Sequence, residues 1–310
     1  MEKIKNVYKY GVYGLNIESE IYIPQFINNE FNDEVDIITI KYGIVPTEVK
    51  KNIDSGRHMK VTSKEVWLDV ENIAIFYITN GAEIIVEPCR NADINDINIY
   101  LMCSCLGFIM LQRGKIALHG GAVVINNNGV IIAGDRGAGK STLTTALRNK
   151  GYKFITDDVS AIHINKAPYI EYGFPYQKLC EDSMLSFNCE KLKEMAFKSG
   201  DKIKYMVPVY EQFLMEQTPL TNIFEIIVGD VKEVMIEEFY GEKKLQKISN
   251  NVYRGEYIRD MGNISTKYFK QCIEIAKNSR YFQITRPKQG FTVNEQIELI
   301  EKEILKENIA

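Results

Sequence analysis

From Tyr10 to about Glu87, hydrophobic and polar positions alternate in short runs rich in β-branched and aromatic residues. That is the pattern of strands with one buried face. The runs are Asn16 to Ile23, Glu34 to Ile40, Val66 to Val70 and Ile73 to Ile78, and Asn80-Gly81 supplies a hairpin turn into Glu83 to Glu87. Trp67, the only tryptophan, reads as a packing residue. Between Ile97 and Gln112 apolar side chains crowd most sides of a helical period, and Gly114 is placed to end the helix. A helix of that kind is buried between layers. The domain boundary is therefore expected near residue 95, with a smaller strand-rich domain over 1–95 and a second domain over 96–310. The apolar run Ile99 to Leu111 is shorter than the ~20 residues that a bilayer requires.

The second domain opens on two apolar runs, Ala122 to Ile125 and Val130 to Ala133, joined by Asn126-Asn127-Asn128-Gly129 as a hairpin. A glycine-rich segment follows, then a helical run to Lys150 with Gly151 at its left-handed cap, then a strand over 152–156 that delivers Asp157-Asp158. Further on, Lys178 to Glu194, Lys267 to Lys277 and Asn294 to Lys306 read as helices, and Ile223 to Val228 and Val234 to Phe239 as strands. The polar stretches Lys198 to Lys204 and Gly241 to Gly255 read as loops. The expected class is α/β, α+β overall.

Chemistry enters at Gly134-Asp135-Arg136-Gly137-Ala138-Gly139-Lys140-Ser141-Thr142, which matches the P-loop pattern G-x-x-x-x-G-K-S in full. Glycines there let successive N–H groups turn inward around a phosphate, and the helix that follows points its positive end at the same place. Lys140 would then meet the β- and γ-phosphate oxygens, and the Ser141 hydroxyl would ligate Mg²⁺. Alone, Asp157-Asp158 would read as a solvated turn. One helix and one strand after Lys140, however, the chain returns beside the loop, where one carboxylate can serve the metal and the other can take a proton from an attacking hydroxyl. His119, just before the hairpin, would emerge near the same point and pair with Asp157. His58 and His163 have no such setting.

Composition narrows the classes. Apolar residues at 45% and charged residues at 25% exclude a disordered chain. A formal charge of −3 argues against a nucleic-acid binder that works through a broad basic face. The six cysteines need no disulfide role in a chain that can bury a core of this size, and Cys103-Ser104-Cys105 sit in an apolar run as packing residues. No apolar segment follows Met1 to Asn6, so neither a signal peptide nor a membrane anchor is expected, and the location reads as cytoplasmic.

Leu118-His119-Gly120, the hairpin, Gly134 to Ser141, Gly151 and Thr156-Asp157-Asp158, in this order, resemble the HPr kinase family and its wider group of HPr-kinase-like proteins. The resemblance implies a P-loop core of the type shared with ATP-dependent phosphoenolpyruvate carboxykinases. It also implies ATP and Mg²⁺ as cofactors, Lys140 and Ser141 as their ligands, Asp158 on the metal side, Asp157 as base and His119 as its neighbour. The division between Asp157 and Asp158 could be the reverse. Gly173 to Cys180 resembles a segment of relatives in peptide-modification gene clusters, some of which phosphorylate lasso-peptide precursors on serine, and Lys202 to Tyr205 is similar to a basic segment after it. Lys178 and Lys204 are accordingly candidate substrate contacts, with Arg259 and Arg286 as further cations. Thr142 stands where HPr kinases have Glu, and their basic C-terminal segment tied to phosphorylase activity has no clear counterpart. The expected acceptor is thus a Ser hydroxyl on a peptide or small protein other than HPr. A small metabolite as acceptor, or a nucleotide-gated binding protein, are the other classes. HPr kinases are oligomeric, but this chain shows no heptad, so a homo-oligomer is left open.

Overall fold

The alternating N-terminal text forms β1 (Tyr8–Val12), β2 (Leu15–Ser19), β3 (Ile37–Tyr42), β4 (Met59–Val61), β5 (Glu65–Val70), β6 (Ala74–Thr79) and β7 (Glu83–Pro88). They make a seven-stranded sheet in the order β1-β2-β3-β7-β6-β5-β4, with β3 parallel to both its neighbours. The computed structural model describes residues 6–29, 31, 35–187, 196–199, 202–262 and 264–307. Period-two burial separates the two faces of this sheet. Ala74, Phe76 and Ile78 of β6 are fully buried on one side. On the other, Trp67 packs with Val45, Val49, Ile75 and Tyr77 beneath helix α1 (Thr47–Asp54), the packing role expected of it.

The apolar helix is longer than its sequence pattern suggested. It runs from α2 (Ile94–Tyr100) through a π-helical stretch, Leu101–Cys105, into α3 (Leu106–Gln112). Asp93 starts it early by accepting the Asn95 N–H at 2.9 Å, a side-chain N-cap. The resulting 19 residues are long and apolar enough by composition to cross a bilayer, although 61% of the most apolar window is buried in this structure. The helix ends as expected. Gly114, at φ +61°, donates to Leu111 O and Lys115 donates to Met110 O, the paired bonds of a Schellman cap. Tyr100 stacks on Phe76, and Asn98 Nδ2 donates to Tyr22 O at 3.1 Å, so the helix belongs with the first sheet. The chain accordingly divides into a first unit, Met1–Ile116 with Arg254–Tyr268, and a second, Ala117–Tyr253 with Phe269–Ala310. The division falls at Ile116 and not near 95, because the helix finds its apolar partner in the strands before it.

The later strands are β8 (Ile116–Ile125), β9 (Asn128–Gly134), β10 (Lys153–Thr156), β11 (Val159–Asn165), β12 (Ala167–Ile170), β13 (Tyr176–Cys180), β14 (Ala196–Ser199), β15 (Lys202–Pro208), β16 (Thr218–Gly229), β17 (Met235–Phe239) and β18 (Arg280–Pro287). The helices are α4 (Lys140–Asn149), α5 (Glu181–Ser186), α6 (Gly241–Asn250), α7 (Ile264–Asn278) and α8 (Val293–Glu307). Strands β13, β15 and β14 form a small three-stranded sheet, and the others an eight-stranded one. Within the large sheet, β9 lies between β8, antiparallel through the Asn126-Asn127 turn, and β16, parallel to it. Leu143 and Leu147 of α4 and Ile297, Ile300 and Ile304 of α8 share a core with Ile132, Phe224 and Phe282. That core fixes the C-terminal end of β9, where the glycine loop begins.

Three expectations need correction. Lys178 lies in strand β13 and, among the described residues of the expected helix, Glu181–Ser186 is helical, while 188–195, including Cys189, lie outside the described residues. Lys198 and Ser199 belong to β14 and Lys202 to Lys204 to its partner β15, not to a loop, while 200 and 201 lie outside the described residues. Most of Gly241 to Gly255 is helix α6, held by fully buried Ile248 and by Lys247 Nζ bonds to Glu225 and Gln283. A single apolar anchor leaves no readable periodicity.

Candidate active site

Gly134 closes β9 with φ +136°, and a Cβ there would stand 2.4 Å from the Ile226 carbonyl of β16, so only glycine fits. Gly137 and Gly139 also have positive φ, +85° and +112°, and bend the loop into α4. Asp135, Arg136 and Gly137 form its exposed tip, and Ala138 is buried. Lys140 Nζ folds back onto Gly134 O at 2.7 Å and Asp135 O at 3.1 Å. Burial lowers the Lys140 pKa, against the attraction of Asp158 and Asp157. At the far end of α4, Gly151 donates to Arg148 O and Tyr152 to Leu147 O, a second Schellman cap, at the position the sequence marked.

The two aspartates sit where β10 turns into β11. Val159 N–H donates to Asp157 O at 2.7 Å across Asp158, which has φ +65°. A three-residue turn of this hand is rare for a residue with a side chain. It sends the two carboxylates to different neighbours. Asp157 is only 4% exposed, and its Oδ2 accepts the Lys178 backbone N–H at 2.9 Å. Burial pushes its carboxyl up to about 6, with the Lys178 charge pulling the other way and Asp158 adding to the rise. Asp158 feels burial too, but the Lys178 ammonium and His119 outweigh it and hold its carboxyl well below the usual range. Its Oδ2 meets Lys178 Nζ at 2.5 Å, and its Oδ1 lies 3.3 Å from His119 Nε2.

His119 therefore pairs with Asp158, not with Asp157 as the sequence suggested. Its backbone N–H donates to Asn251 O at 2.8 Å, and its ring stands at 89° to the Tyr253 ring. The glycines after it have steric reasons of their own. A Cβ at Gly120 would lie 2.4 Å from Ile132 O, and one at Gly121 would lie 3.0 Å from Thr144 Oγ1. Strand β8 thus runs tight against β9 and α4.

Lys178 and Lys204 come together on one face of the small sheet. In the β13–β15 register Lys178 opposes Met206 and Cys180 opposes Lys204, so period two puts both lysines on the side away from the Leu179, Met184 and Val207 cluster. Lys178 is buried, and the charge of Lys204 acts on both Lys140 and Asp157. Arg286 of β18 reaches the glycine loop, whereas Arg259 lies in the first unit. Sequence reading missed Gln177. Fully buried beside Lys178, it donates to Ser141 O at 3.2 Å and holds its Oε1 3.0 Å from Thr145 Oγ1, coupling β13 to the first turn of α4. A glutamine beside a lysine, between aromatic and apolar residues, was the available signal. Thr142 Oγ1 lies 3.0 Å from Ser183 Oγ. Among the described residues no group of three His, Cys, Asp or Glu could hold a metal. The oxygens of Ser141 and Asp158 are hard donors of the kind Mg²⁺ takes in ones and twos alongside phosphates and water.

No family model matches the chain. Over 87 residues, 26% of this chain and 26% of the relative, it is 34% identical to the HPr kinase/phosphorylase of Mycoplasmopsis pulmonis (strain UAB CTIP). Over that stretch the chain is similar to an HPr kinase. The match spans about a quarter of that relative's length. Among solved structures, the Hpr(Ser) kinase/phosphatase of Coxiella burnetii aligns over 62% of this chain and 96% of its own, at 14% identity and a TM-score of 0.30.

Proposed function

We propose that this HPr-kinase-like chain is a cytoplasmic ATP- and Mg²⁺-dependent phosphotransferase that moves the γ-phosphoryl group to a Ser hydroxyl of a peptide or small protein. The observation that carries the reading is Asp157, a buried carboxyl raised to about 6 between the lysines 140, 178 and 204 and beside a glycine loop of the P-loop pattern. A module that only bound nucleotide would have no use for a second, basic carboxylate in that position.

In this reading the loop amides and the N-terminus of α4 receive the β-phosphate, and Lys140 leaves its carbonyl contacts for the β- and γ-oxygens. Ser141 and Asp158 would hold Mg²⁺, which when bound neutralises charge on the phosphates. Lys178 then gives up Asp158 and faces the transferred group, with Lys204 beside it. The acceptor oxygen bonds to Pγ as the Pγ–O bond to ADP breaks, and the hydroxyl proton passes to Asp157. His119 keeps Asp158 ionised and oriented. Charge stabilisation by this set, held in place before the reaction, supplies most of the rate.

The test is transfer of label from γ-labelled ATP with Mg²⁺ into size-fractionated host extract. Wild type is expected to label a peptide or protein fraction, Lys140→Ala to label none, and Asp157→Asn to turn over at least ~10²-fold more slowly while still binding ATP. Label only in a small metabolite would move the acceptor to that class, and release of inorganic phosphate alone would overturn the kinase reading.

A further inference from the structure

Arg286 sits on β18, remote in sequence from the glycine loop, yet its guanidinium addresses that loop's backbone. Nε donates to Ala138 O at 2.7 Å and Nη2 reaches Gly137 O at 3.4 Å, while Nη1 donates to Pro287 O at 3.0 Å. The side chain is thus fixed at its own strand and presents one forked edge to two successive carbonyls. In a trans peptide the C=O and N–H of one unit point in opposite directions. Holding Ala138 O toward β18 therefore turns the Gly139 N–H away from it. The Ala138 N–H is already committed to Asp135 O at 3.1 Å. Gly139 can adopt this plane because φ +112° costs it nothing, and Arg286 Nε is the nearest atom to where its Cβ would be, at 3.6 Å.

We infer that Arg286 is a positioning residue. It clamps the outward carbonyls of Gly137 and Ala138 so that the Gly139 amide stays aimed at a bound polyphosphate. The inference rests on the phosphate-loop reading above and adds a residue to it that lies outside the loop pattern. It also assigns Arg286 a place behind the loop and not on the γ-phosphate or the acceptor. A fork that spans two carbonyls cannot be replaced by a single ammonium. Charge alone would be served equally well by lysine.

The experiment titrates ADP with Mg²⁺ against this 310-residue chain and its Arg286→Lys and Arg286→Ala variants, with thermal midpoints measured alongside. Both variants are expected to bind about tenfold or more weakly, Lys nearly as poorly as Ala. Guanidinium ion added at millimolar concentration is expected to restore part of the affinity of Arg286→Ala alone. Rescue of binding separates a positioning role from loss of fold, since guanidinium does not refold a destabilised protein. Wild-type affinity in Arg286→Lys would overturn the inference and leave only a charge effect. Unchanged affinity in both variants would overturn it outright. If wild type and Lys140→Ala alike bind no ADP, the phosphate-loop reading itself fails, and this inference with it.

Discussion

Asp157 and Asp158 are neighbours in the chain, yet their carboxyls are driven apart, one up by burial and one down by Lys178 and His119. The left-handed turn at Asp158 is the cause, because it puts one side chain inside and the other on a cation. Two consequences can be measured. Transfer should rise with pH through about 6 and level off above it, as the base of Asp157 is freed, and a rate independent of pH between 5 and 8 would remove Asp157 from that role. Stability runs the opposite way. A carboxyl whose folded value lies above its ordinary 3.8 favours the folded state while protonated, and that support is lost as pH rises through about 6. Asp157→Asn should therefore melt above wild type at pH 8, with the gap narrowing as pH falls through about 6 and closing near 3.8. Equal midpoints at pH 8 would show that burying this charge costs nothing. The spacing of Lys140 and the aspartates was legible in the sequence, because glycine loop, helix and strand each carry strong local signals. The His119–Asp158 pair was not, since it depends on one backbone angle at a residue whose type does not demand it.

At the scale of elements, legibility followed the strength of the apolar pattern. Strands β8 and β9, helix α4 and its cap at Gly151 could be read directly, as could α7 and α8 within a few residues. The three-stranded sheet could not. Its β13 carries a lysine and a glutamine whose partners lie on other elements, and its β15 alternates lysine with aromatic and apolar residues, so neither looks like half of a buried face. That sheet nevertheless brings Lys178, Lys204 and Gln177 to the site. The tight passage of β8 makes a further prediction. Gly120→Ala puts a Cβ against a backbone oxygen that cannot rotate away, and should cost ~1–3 kcal/mol, seen as a lower urea midpoint. Gly137→Ala meets no atom within 4 Å and pays only for its left-handed angle, so it should lose less. Equal losses at the two positions would mean that β8 can shift away from β9.

Across the whole molecule, the residues given roles in the proposed transfer, His119 through Arg286, fall in the second unit. The expected boundary failed by one helix, because a run apolar on most sides does not announce which neighbour it will pack on. The β8–β9 turn has a practical side. Asn126 and Asn127, at φ +50° and +65°, form an exposed tip at the opposite end of β9 from Gly134, about 20 Å away along the strand. It is a natural attachment point. A short epitope or dye-binding peptide spliced between the two asparagines should leave ADP affinity at the wild-type level. The protein could then be immobilised or labelled there for single-molecule work without touching either terminus.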